Sequence, residues 1–206
     1  CPLTAKQMVE LPEEFVMDRI IESGKVAQEL GAKIVGLGAF TSIVGDAGIT
    51  VAKNLDIAVT SGNSYTVATA IQGTKQAARM MGKDLKECRA VVVGATGSIG
   101  AASVRLLAKE VKHITLVARH MGPLEELAQE LIEQNHCEVA VSQDIRTSLQ
   151  EADIVITVTS ALDFLIEPGD LKPGAVVCDV ARPRNVSRDV SLKRNDVLVI
   201  EGGVIN

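Results

Sequence analysis

Short apolar runs alternate with amphipathic helical patterns along the second half of the chain. From residue 90 onward, six apolar runs occur, at 90–93, 113–118, 138–141, 153–157, 175–179 and 196–200. Apolar residues at helical spacing separate these runs, most clearly over residues 98–111 and 123–134. Strands that are apolar throughout and alternate with helices are typical of a parallel sheet covered on both faces. We therefore predict a doubly wound α/β sheet over residues 83–206.

Residues 1–82 predict a smaller α/β unit, which we expect on the substrate side of the sheet. Helical spacing of apolar residues predicts a helix over 13–30, which ends at Gly31. Short apolar runs over 33–38 and 56–60 predict two strands. An Ala- and Thr-rich helical pattern over 65–81 predicts the helix that links the two units.

A glycine-rich turn joins the first strand of the larger sheet to its first helix. The turn reads Gly94-Ala95-Thr96-Gly97-Ser98-Ile99-Gly100. On the G-x-G-x-x-G fingerprint, Ala95, Gly97 and Gly100 take the glycine positions, so Gly97 would admit a pyrophosphate and Gly100 would allow tight helix packing. A helix that begins at such a turn presents backbone N–H groups to a diphosphate. We therefore predict that residues 94–99 bind a dinucleotide, as in a Rossmann sheet.

Arg119 follows the second strand of this sheet, where NAD-specific sites usually carry an acidic residue that binds the ribose diol. The chain has Arg119 and His120 at this point. A guanidinium pairs bidentately with a 2′-phosphate, which a carboxylate would repel. The sequence therefore predicts NADP(H) as the cofactor. The alternative, that Arg119 is a solvated surface charge, stays open.

The ends of the later strands carry further candidate cofactor residues. Thr157 and Thr159 stand at the end of the fourth strand, and Gly202 follows the sixth. In open α/β sheets, ligands bind outside the carboxyl ends of the strands. We therefore expect these three residues beside the ribose or the nicotinamide.

Two loops of small polar residues follow the two strands of the smaller unit. One contains Phe40, Thr41 and Ser42, and the other contains Gly62, Asn63 and Ser64. Because both loops follow strand ends, we predict that they line one substrate cleft. The alternative is that they are ordinary strand-to-helix turns with Ser or Thr caps.

Composition narrows the class of protein. The 206 residues are 47% hydrophobic but include only three Phe, one Tyr and no Trp, which predicts an aliphatic core. A net charge of −5 without a dense basic tract argues against nucleic acid and anionic membranes as partners. The four cysteines are scattered and form no C-x-x-C pair, so we expect no metal site and a reduced, cytosolic chain. No apolar run is long enough for a membrane span.

The two ends of the sequence resemble cut ends. The chain opens on Cys1 without a methionine, and it closes at Asn206 directly after an apolar strand. We expect a fragment of a longer protein, and a naturally short chain is the alternative.

Four motifs together resemble the long-chain acyl-[acyl-carrier-protein] reductases of cyanobacteria and their bacterial relatives, which are often called predicted amino acid dehydrogenases. The motifs are Gly38-Ala39-Phe40-Thr41-Ser42, Thr60-Ser61-Gly62-Asn63-Ser64-Tyr65-Thr66, Val93-Gly94-Ala95-Thr96-Gly97-Ser98-Ile99-Gly100 and Glu201-Gly202-Gly203-Val204. The run Asp179-Val180-Ala181-Arg182-Pro183-Arg184 is more loosely similar to a loop of shikimate dehydrogenases and glutamyl-tRNA reductases.

This resemblance implies the NADPH-dependent reduction of a fatty acyl thioester, on a carrier protein or coenzyme A, to an aldehyde. It also implies a cysteine that accepts the acyl group a few residues after the Gly-Gly-Val motif, beyond Asn206. The catalytic residue therefore stays unassigned. One alternative is a shikimate-type or amino acid dehydrogenase acting on a small polar substrate, although Lys53 and Asp56 form no convincing Lys/Asp pair. The other is a non-catalytic nucleotide-binding module. The oligomeric state stays open, with a homo-oligomer among the alternatives.

Overall fold

The computed structural model describes residues 1–134, 137–159, 161 and 165–202. Contacts divide the chain into two compact units, Cys1–Asn63 and Ser64–Asn206. The first unit contains the helices α1 (Ala5–Glu10), α2 (Glu13–Glu29) and α3 (Ile49–Lys53) and the strands β1 (Ile34–Leu37) and β2 (Ala58–Ser61). The two strands form a parallel pair.

A small aliphatic core holds the first unit together. Val16 and Ile20 of α2 pack with Leu37, Val51 and Leu55. The helix begins after Pro12 with two acidic residues in its first turn, which is favourable for the helix dipole. The helix that the sequence predicts over residues 13–30 is therefore present.

The second unit is built on a six-stranded parallel sheet. Its strands are β3 (Arg89–Val93), β4 (His113–Val117), β5 (Glu138–Ser142), β6 (Ile154–Thr157), β7 (Val176–Asp179) and β8 (Leu198–Glu201). Its helices are α4 (Asn63–Met80), α5 (Ser98–Leu107), α6 (Met121–Gln134), α7 (Ile145–Leu149) and α8 (Arg188–Lys193). The strand order is β5-β4-β3-β6-β7-β8, so the order reverses between β3 and β6. This is the doubly wound order, and the predicted fold class is confirmed.

Both faces of the large sheet are covered, and alternate residues of one strand show it. In β3, Ala90 and Val92 belong to one buried cluster, whereas Val91 and Val93 belong to another. Side chains on a strand point to opposite faces in turn, which explains this division. The first cluster includes buried residues of α4, α5 and α6, and the second includes Leu149 of α7 and Val190 of α8. Strands buried on both faces read as the continuous apolar runs seen in the sequence.

The linking helix α4 packs with the large sheet. Its residues Val67, Ala70 and Ala78 lie in the same buried cluster as Ala90 and Val92. The division by contacts therefore falls at Asn63, whereas the sequence places the boundary between residues 82 and 83. As a domain boundary, 82/83 stays a prediction, but the apolar face of α4 belongs to the sheet it covers.

A partly buried ion-pair cluster closes the amino end of the large sheet. Asp153 Oδ1 accepts hydrogen bonds from Lys83 Nζ at 3.1 Å and Lys172 Nζ at 2.8 Å, and Oδ2 accepts one from the Arg89 amide at 3.0 Å. Burial raises the pKa of Asp153, but these hydrogen bonds outweigh burial and hold the pKa below its ordinary value. The carboxylate thus joins the start of β3 to the segments before β3 and β7.

We expect Asp153→Asn to lower the free energy of unfolding at pH 7 by about 1–3 kcal/mol, because two lysines lose their charged partner. Because the native pKa of Asp153 is lowered, its ionised carboxylate stabilises the fold at pH values above the unfolded pKa of about 3.9. This stabilisation is lost as the pH falls through the native pKa. Urea unfolding at pH 7 and near pH 3 measures both effects. Exposed Asp18 on α2 provides the control substitution, Asp18→Asn. If the difference in the free energy of unfolding between the wild type and Asp153→Asn stays constant down to pH 3, the lowered pKa of Asp153 is contradicted.

Candidate nucleotide-binding site

A cavity of about 360 Å³ opens at the carboxyl edge of the six-stranded sheet. It is bounded by the segments that follow β3, β4, β5 and β6, at the point where the strand order reverses. Ligands of doubly wound sheets bind in this crevice. The described residues that line the cavity are Val93, Gly94, Thr96, Gly97, Val117, Ala118, Arg119, His120, Gln143, Ile145, Val158, Thr159, Ala161 and Leu165.

The glycine turn forms one wall of this cavity. Gly94 has a left-handed backbone with φ of +87°, and a Cβ placed there would lie 2.6 Å from the Val158 carbonyl oxygen. At Gly100, a Cβ would lie 2.1 Å from the Gly94 carbonyl oxygen. Side chains therefore fit at neither position, and their absence lets β3, α5 and the segment after β6 meet.

Ala95 plays a different part from the one its place in the sequence fingerprint suggests. The left-handed turn expected of the first glycine is made by Gly94. Ala95 is fully buried and belongs to the main aliphatic core, and its amide donates to the Val117 carbonyl oxygen at 3.1 Å. Its methyl group packs inside the fold, and Ala95 is not among the described residues that line the cavity.

The start of α5 faces the cavity with the positive end of its dipole. Gly97 is the N-cap residue and supplies no capping side chain. Its carbonyl oxygen accepts from the Ala101 amide at 2.8 Å, which begins the helix. Ser98 and Ile99 form the first turn, and Ile99 packs against the core. A helix start without a side-chain cap, bordered by glycines, is a favourable place for an anion.

Arg119 and His120 line the cavity just beyond the end of β4, and both side chains are exposed. Gln143, which follows β5, donates from Nε2 to the Arg119 carbonyl oxygen at 2.6 Å. None of the described residues that line the cavity is acidic. The sequence reasoning missed Gln143, because only the pairing of β4 with β5 brings it beside Arg119.

Of the two predicted threonines at the end of β6, only Thr159 reaches the cavity. Thr157 is fully buried and donates from Oγ1 to Asn185 Oδ1 at 2.8 Å. Thr159 donates to the same oxygen from its hydroxyl at 2.9 Å. Asn185, which the sequence did not indicate, therefore holds Thr159 in the wall of the cavity through a hydrogen bond.

The buried carboxylate of Asp179 in turn holds the loop that carries Asn185. It accepts hydrogen bonds from the amides of Ala181 at 3.1 Å, Asn185 at 3.0 Å and Val186 at 3.0 Å. Burial raises the pKa of Asp179, and the three amide donors counteract only part of that effect. The loop between β7 and α8 is thus tied to the end of β7 at three points.

Gly202 serves packing in the described structure. Its amide donates to the Asp179 carbonyl oxygen at 3.0 Å. A Cβ there would lie 2.7 Å from Cys178 Sγ and 2.7 Å from Val180 Cγ2. Gly202 is not among the described cavity-lining residues, and its contact with a cofactor stays a prediction. Ser160 and the Gly203 and Val204 of the terminal motif lie outside the described residues.

The predicted substrate loops leave the same edge of the small sheet. Leu37 of β1 is paired with Ser61 of β2, so the loops after both strands begin side by side. The Thr41 and Ser42 hydroxyls donate to the Gly38 and Ala39 carbonyl oxygens at 2.7 and 2.8 Å. These local bonds fit the alternative of ordinary turns as well.

The other residues of the two predicted substrate loops lie at or near the surface or at a helix start. Phe40 is partly exposed, Gly62 has open space where a Cβ would lie, and Asn63 and Ser64 begin α4. A substrate cleft at these residues stays a prediction.

Three of the four cysteines are poor candidates for a nucleophile, because burial raises the pKa values of their thiols. Burial raises the pKa of the Cys178 thiol to about 11 and also raises the pKa values of Cys88 and Cys137. A thiolate is the reactive form, so these thiols are largely inactive at neutral pH. Cys1 is exposed.

The described residues contain no group of three or more His, Cys, Asp or Glu side chains that could hold a metal ion. None of their helices combines the length and apolar character needed to cross a lipid bilayer.

The sequence matches known proteins along most of its length. Residues 75–201 match the profile of the Shikimate / quinate 5-dehydrogenase family. The chain is 33% identical over 206 residues to the aminotransferase PigE of a Serratia species, covering 99% of this chain and 24% of that protein. It is 29% identical over 204 residues to the long-chain acyl-[acyl-carrier-protein] reductase of Synechococcus elongatus, covering 91% of this chain and 55% of the reductase.

The fold also matches a solved structure. Glutamyl-tRNA reductase from Methanopyrus kandleri superposes with a TM-score of 0.53 at 19% identity, over 92% of this chain and 47% of that one. The chain thus spans between about a quarter and just over half of the length of these relatives. The expected likeness to acyl-[acyl-carrier-protein] reductases, shikimate dehydrogenases and glutamyl-tRNA reductases is confirmed.

We expect Gly97→Ala to weaken NADPH binding at least about tenfold, a loss of about 1.4 kcal/mol. Its Cβ would lie 3.4 Å from the Gly94 carbonyl oxygen, so the fold accommodates it, while the methyl group stands where a diphosphate must approach. Gly122→Ala on α6, where a Cβ meets open space, is the matched control. Fluorescence titration measures the affinity, and circular dichroism checks the fold. Equal NADPH affinity in both variants contradicts the site.

Proposed function

This chain belongs to the Shikimate / quinate 5-dehydrogenase family, and from that premise we propose that its second unit binds NADP(H) for an oxidoreductase reaction. The unit is related to NAD(P)-binding dehydrogenase domains, and its relatives catalyse different reactions. The family therefore supports the cofactor class, whereas the choice of NADP rests on particular residues and the choice of substrate rests on a relative.

One observation carries the choice of NADP. The residues that follow β4 at the cavity are Arg119 and His120, and no described lining residue is acidic. An NAD site uses a carboxylate here to accept hydrogen bonds from the ribose diol. A guanidinium offers five donors in a planar fork that fits a 2′-phosphate. The charge at this position thus favours NADP(H), because it complements the negative charge of a 2′-phosphate.

The cavity fits the cofactor at its other parts as well. The backbone at Gly94 and Gly97 and the start of α5 would receive the diphosphate, since neither glycine carries a side chain and α5 has no side-chain cap. Gln143 would orient the Arg119 backbone, and Thr159 would border the half nearer the nicotinamide. The reduced nicotinamide, when bound, supplies the hydride. The residues of this chain bind the cofactor, orient it and shield it from water.

For the substrate, we propose a fatty acyl thioester, which is reduced to an aldehyde with release of the thiol. The support is the 29% identity with the Synechococcus reductase, which extends over 91% of this chain. In this proposal the acyl-accepting cysteine follows the Gly-Gly-Val motif. The raised pKa values of Cys88, Cys137 and Cys178 agree with a nucleophile placed elsewhere.

A dehydrogenase for a small polar substrate is the second candidate, because the family profile is that of shikimate and quinate dehydrogenases. Such an enzyme needs a Lys/Asp pair for proton transfer beside the substrate. Asp56 accepts a hydrogen bond from Gln28 Nε2 at 3.1 Å, so its carboxylate has a partner other than Lys53. The test measures NADPH oxidation in the presence of an acyl thioester and of 3-dehydroshikimate. Oxidation with the thioester supports the first candidate, and oxidation with 3-dehydroshikimate supports the second. Oxidation with neither supports a non-catalytic nucleotide-binding module.

We expect Arg119→Asp to reverse the cofactor preference. Loss of the charged hydrogen bonds to the 2′-phosphate weakens NADPH binding about 10- to 100-fold, and the new carboxylate favours NADH. The dissociation constants of both cofactors are measured for the wild type, Arg119→Asp and Arg79→Asp, which changes an exposed arginine on α4. Wild-type affinity for NADH equal to or tighter than that for NADPH rejects the 2′-phosphate role.

A further inference from the structure

Two arginines share one carboxylate at the carboxyl ends of β7 and β8. Arg182 Nη2 donates to Glu201 Oε2 at 3.1 Å, and Arg184 Nη2 donates to Glu201 Oε1. Glu201 is the last residue of β8 and is paired with Asp179, the last residue of β7. We call Arg182, Arg184 and Glu201 the arginine cluster. All three side chains are between 40% and 46% exposed, so a ligand can reach them.

The loop that carries both arginines is held in place from the inside. Asp179 accepts amide hydrogen bonds from Ala181 and Asn185, which flank the two arginines in the chain. Asn185 is itself bonded to Thr157 and Thr159 at the end of β6. These bonds fix the backbone of the loop, which lowers the part of the entropic cost of binding that comes from ordering the backbone.

The cluster has more donors than its own partners use. Each guanidinium has five N–H groups, so the pair has ten. The described partners of the two guanidinium groups are the Glu201 oxygens and, from Arg182 Nη1, the Ala181 carbonyl oxygen at 2.8 Å. Among the described residues Glu201 is the carboxylate that hydrogen-bonds to both guanidinium groups, and the buried Asp179 carboxylate acts on Arg182 only through its charge. The cluster is therefore suited to a further anion, for which Glu201 is an internal competitor.

The position of the cluster indicates which anion it meets. β6, β7 and β8 form the second half of the sheet, and a dinucleotide lies across both halves at the carboxyl edge. Arg119 lies at the first half, beyond β4. The second half is therefore the reactive half, and an anion bound at β7 and β8 belongs to the substrate side of the reaction.

We propose that Arg182 and Arg184 bind a phosphate of the group that carries the acyl thioester, displacing Glu201. This inference rests on the proposed acyl thioester activity. Coenzyme A and the prosthetic arm of acyl carrier proteins both have phosphate on the pantetheine chain that ends in the thiol, and a guanidinium fork suits phosphate. A carboxylate on a small polar substrate offers related oxyanion chemistry, and the experiment separates the two sources.

The test compares coenzyme A with pantetheine, which has the same thiol arm but no phosphate. Isothermal titration of the NADPH-loaded protein gives both dissociation constants. We expect the double variant Arg182→Gln/Arg184→Gln to bind coenzyme A at least about tenfold more weakly, with unchanged affinity for pantetheine. We expect Glu201→Gln to bind coenzyme A more tightly, because the phosphate then has no carboxylate to compete with for the two guanidinium groups.

Arg188→Gln on α8 removes one exposed positive charge close in sequence and is the matched control. NADPH affinity, unchanged in all variants, shows that the fold and the cofactor site are intact. A coenzyme A affinity of the double variant equal to that of Arg188→Gln overturns the inference, and so does weaker binding in Glu201→Gln.

The outcomes also distinguish this inference from the proposed function. Reduction of acyl-coenzyme A by the wild type and the double variant with the same KM overturns the phosphate site but leaves the proposed activity intact. Binding of shikimate that depends on Arg182 and Arg184, with no binding of coenzyme A or pantetheine, overturns both the phosphate assignment and the acyl thioester substrate.

Discussion

The first turn of α5 lies so close to the Gly94 carbonyl oxygen that residue 100 has no room for a side chain. A Cβ at Gly94 would in turn collide with the Val158 carbonyl oxygen. These two contacts fix how β3 ends, where α5 begins and how near the segment after β6 can come. These close backbone contacts set the position of one wall of the cavity at the reversal of strand order.

The neighbouring part of the cavity wall, at Thr159, is fixed by polar groups inside the protein. Asp179 holds the loop after β7 through three backbone amides, and Asn185 on that loop holds Thr159. The buried side-chain oxygens of Asp179 and Asn185 accept hydrogen bonds that hold this arrangement, whereas Asn185 Nδ2 is buried without a partner among the described residues. The same loop carries Arg182 and Arg184. One internal network thus positions both the cofactor wall and the proposed substrate contact.

The sequence predicted the larger features because they depend on local pattern. Continuous apolar strands, helical spacing and the glycine turn are sufficient for the doubly wound sheet and its crevice. Gln143 and Asn185 escaped prediction because their partners stand 24 and 26 residues away, and only strand pairing and loop closure bring them together. Thr157 also ends a strand but its side chain is fully buried, since the strand-end rule gives the edge of the sheet and not the direction of a side chain.

We propose that the Gly94–Gly100 turn and Arg119 form one NADP(H) site. The most direct measurement follows backbone amide resonances of isotope-labelled protein during titration with NADPH. We expect saturable shifts at Gly94–Gly100, at Arg119 and His120, and at Thr159, with small shifts elsewhere in the sheet. Shifts confined to other residues, or none at millimolar NADPH, would contradict the account.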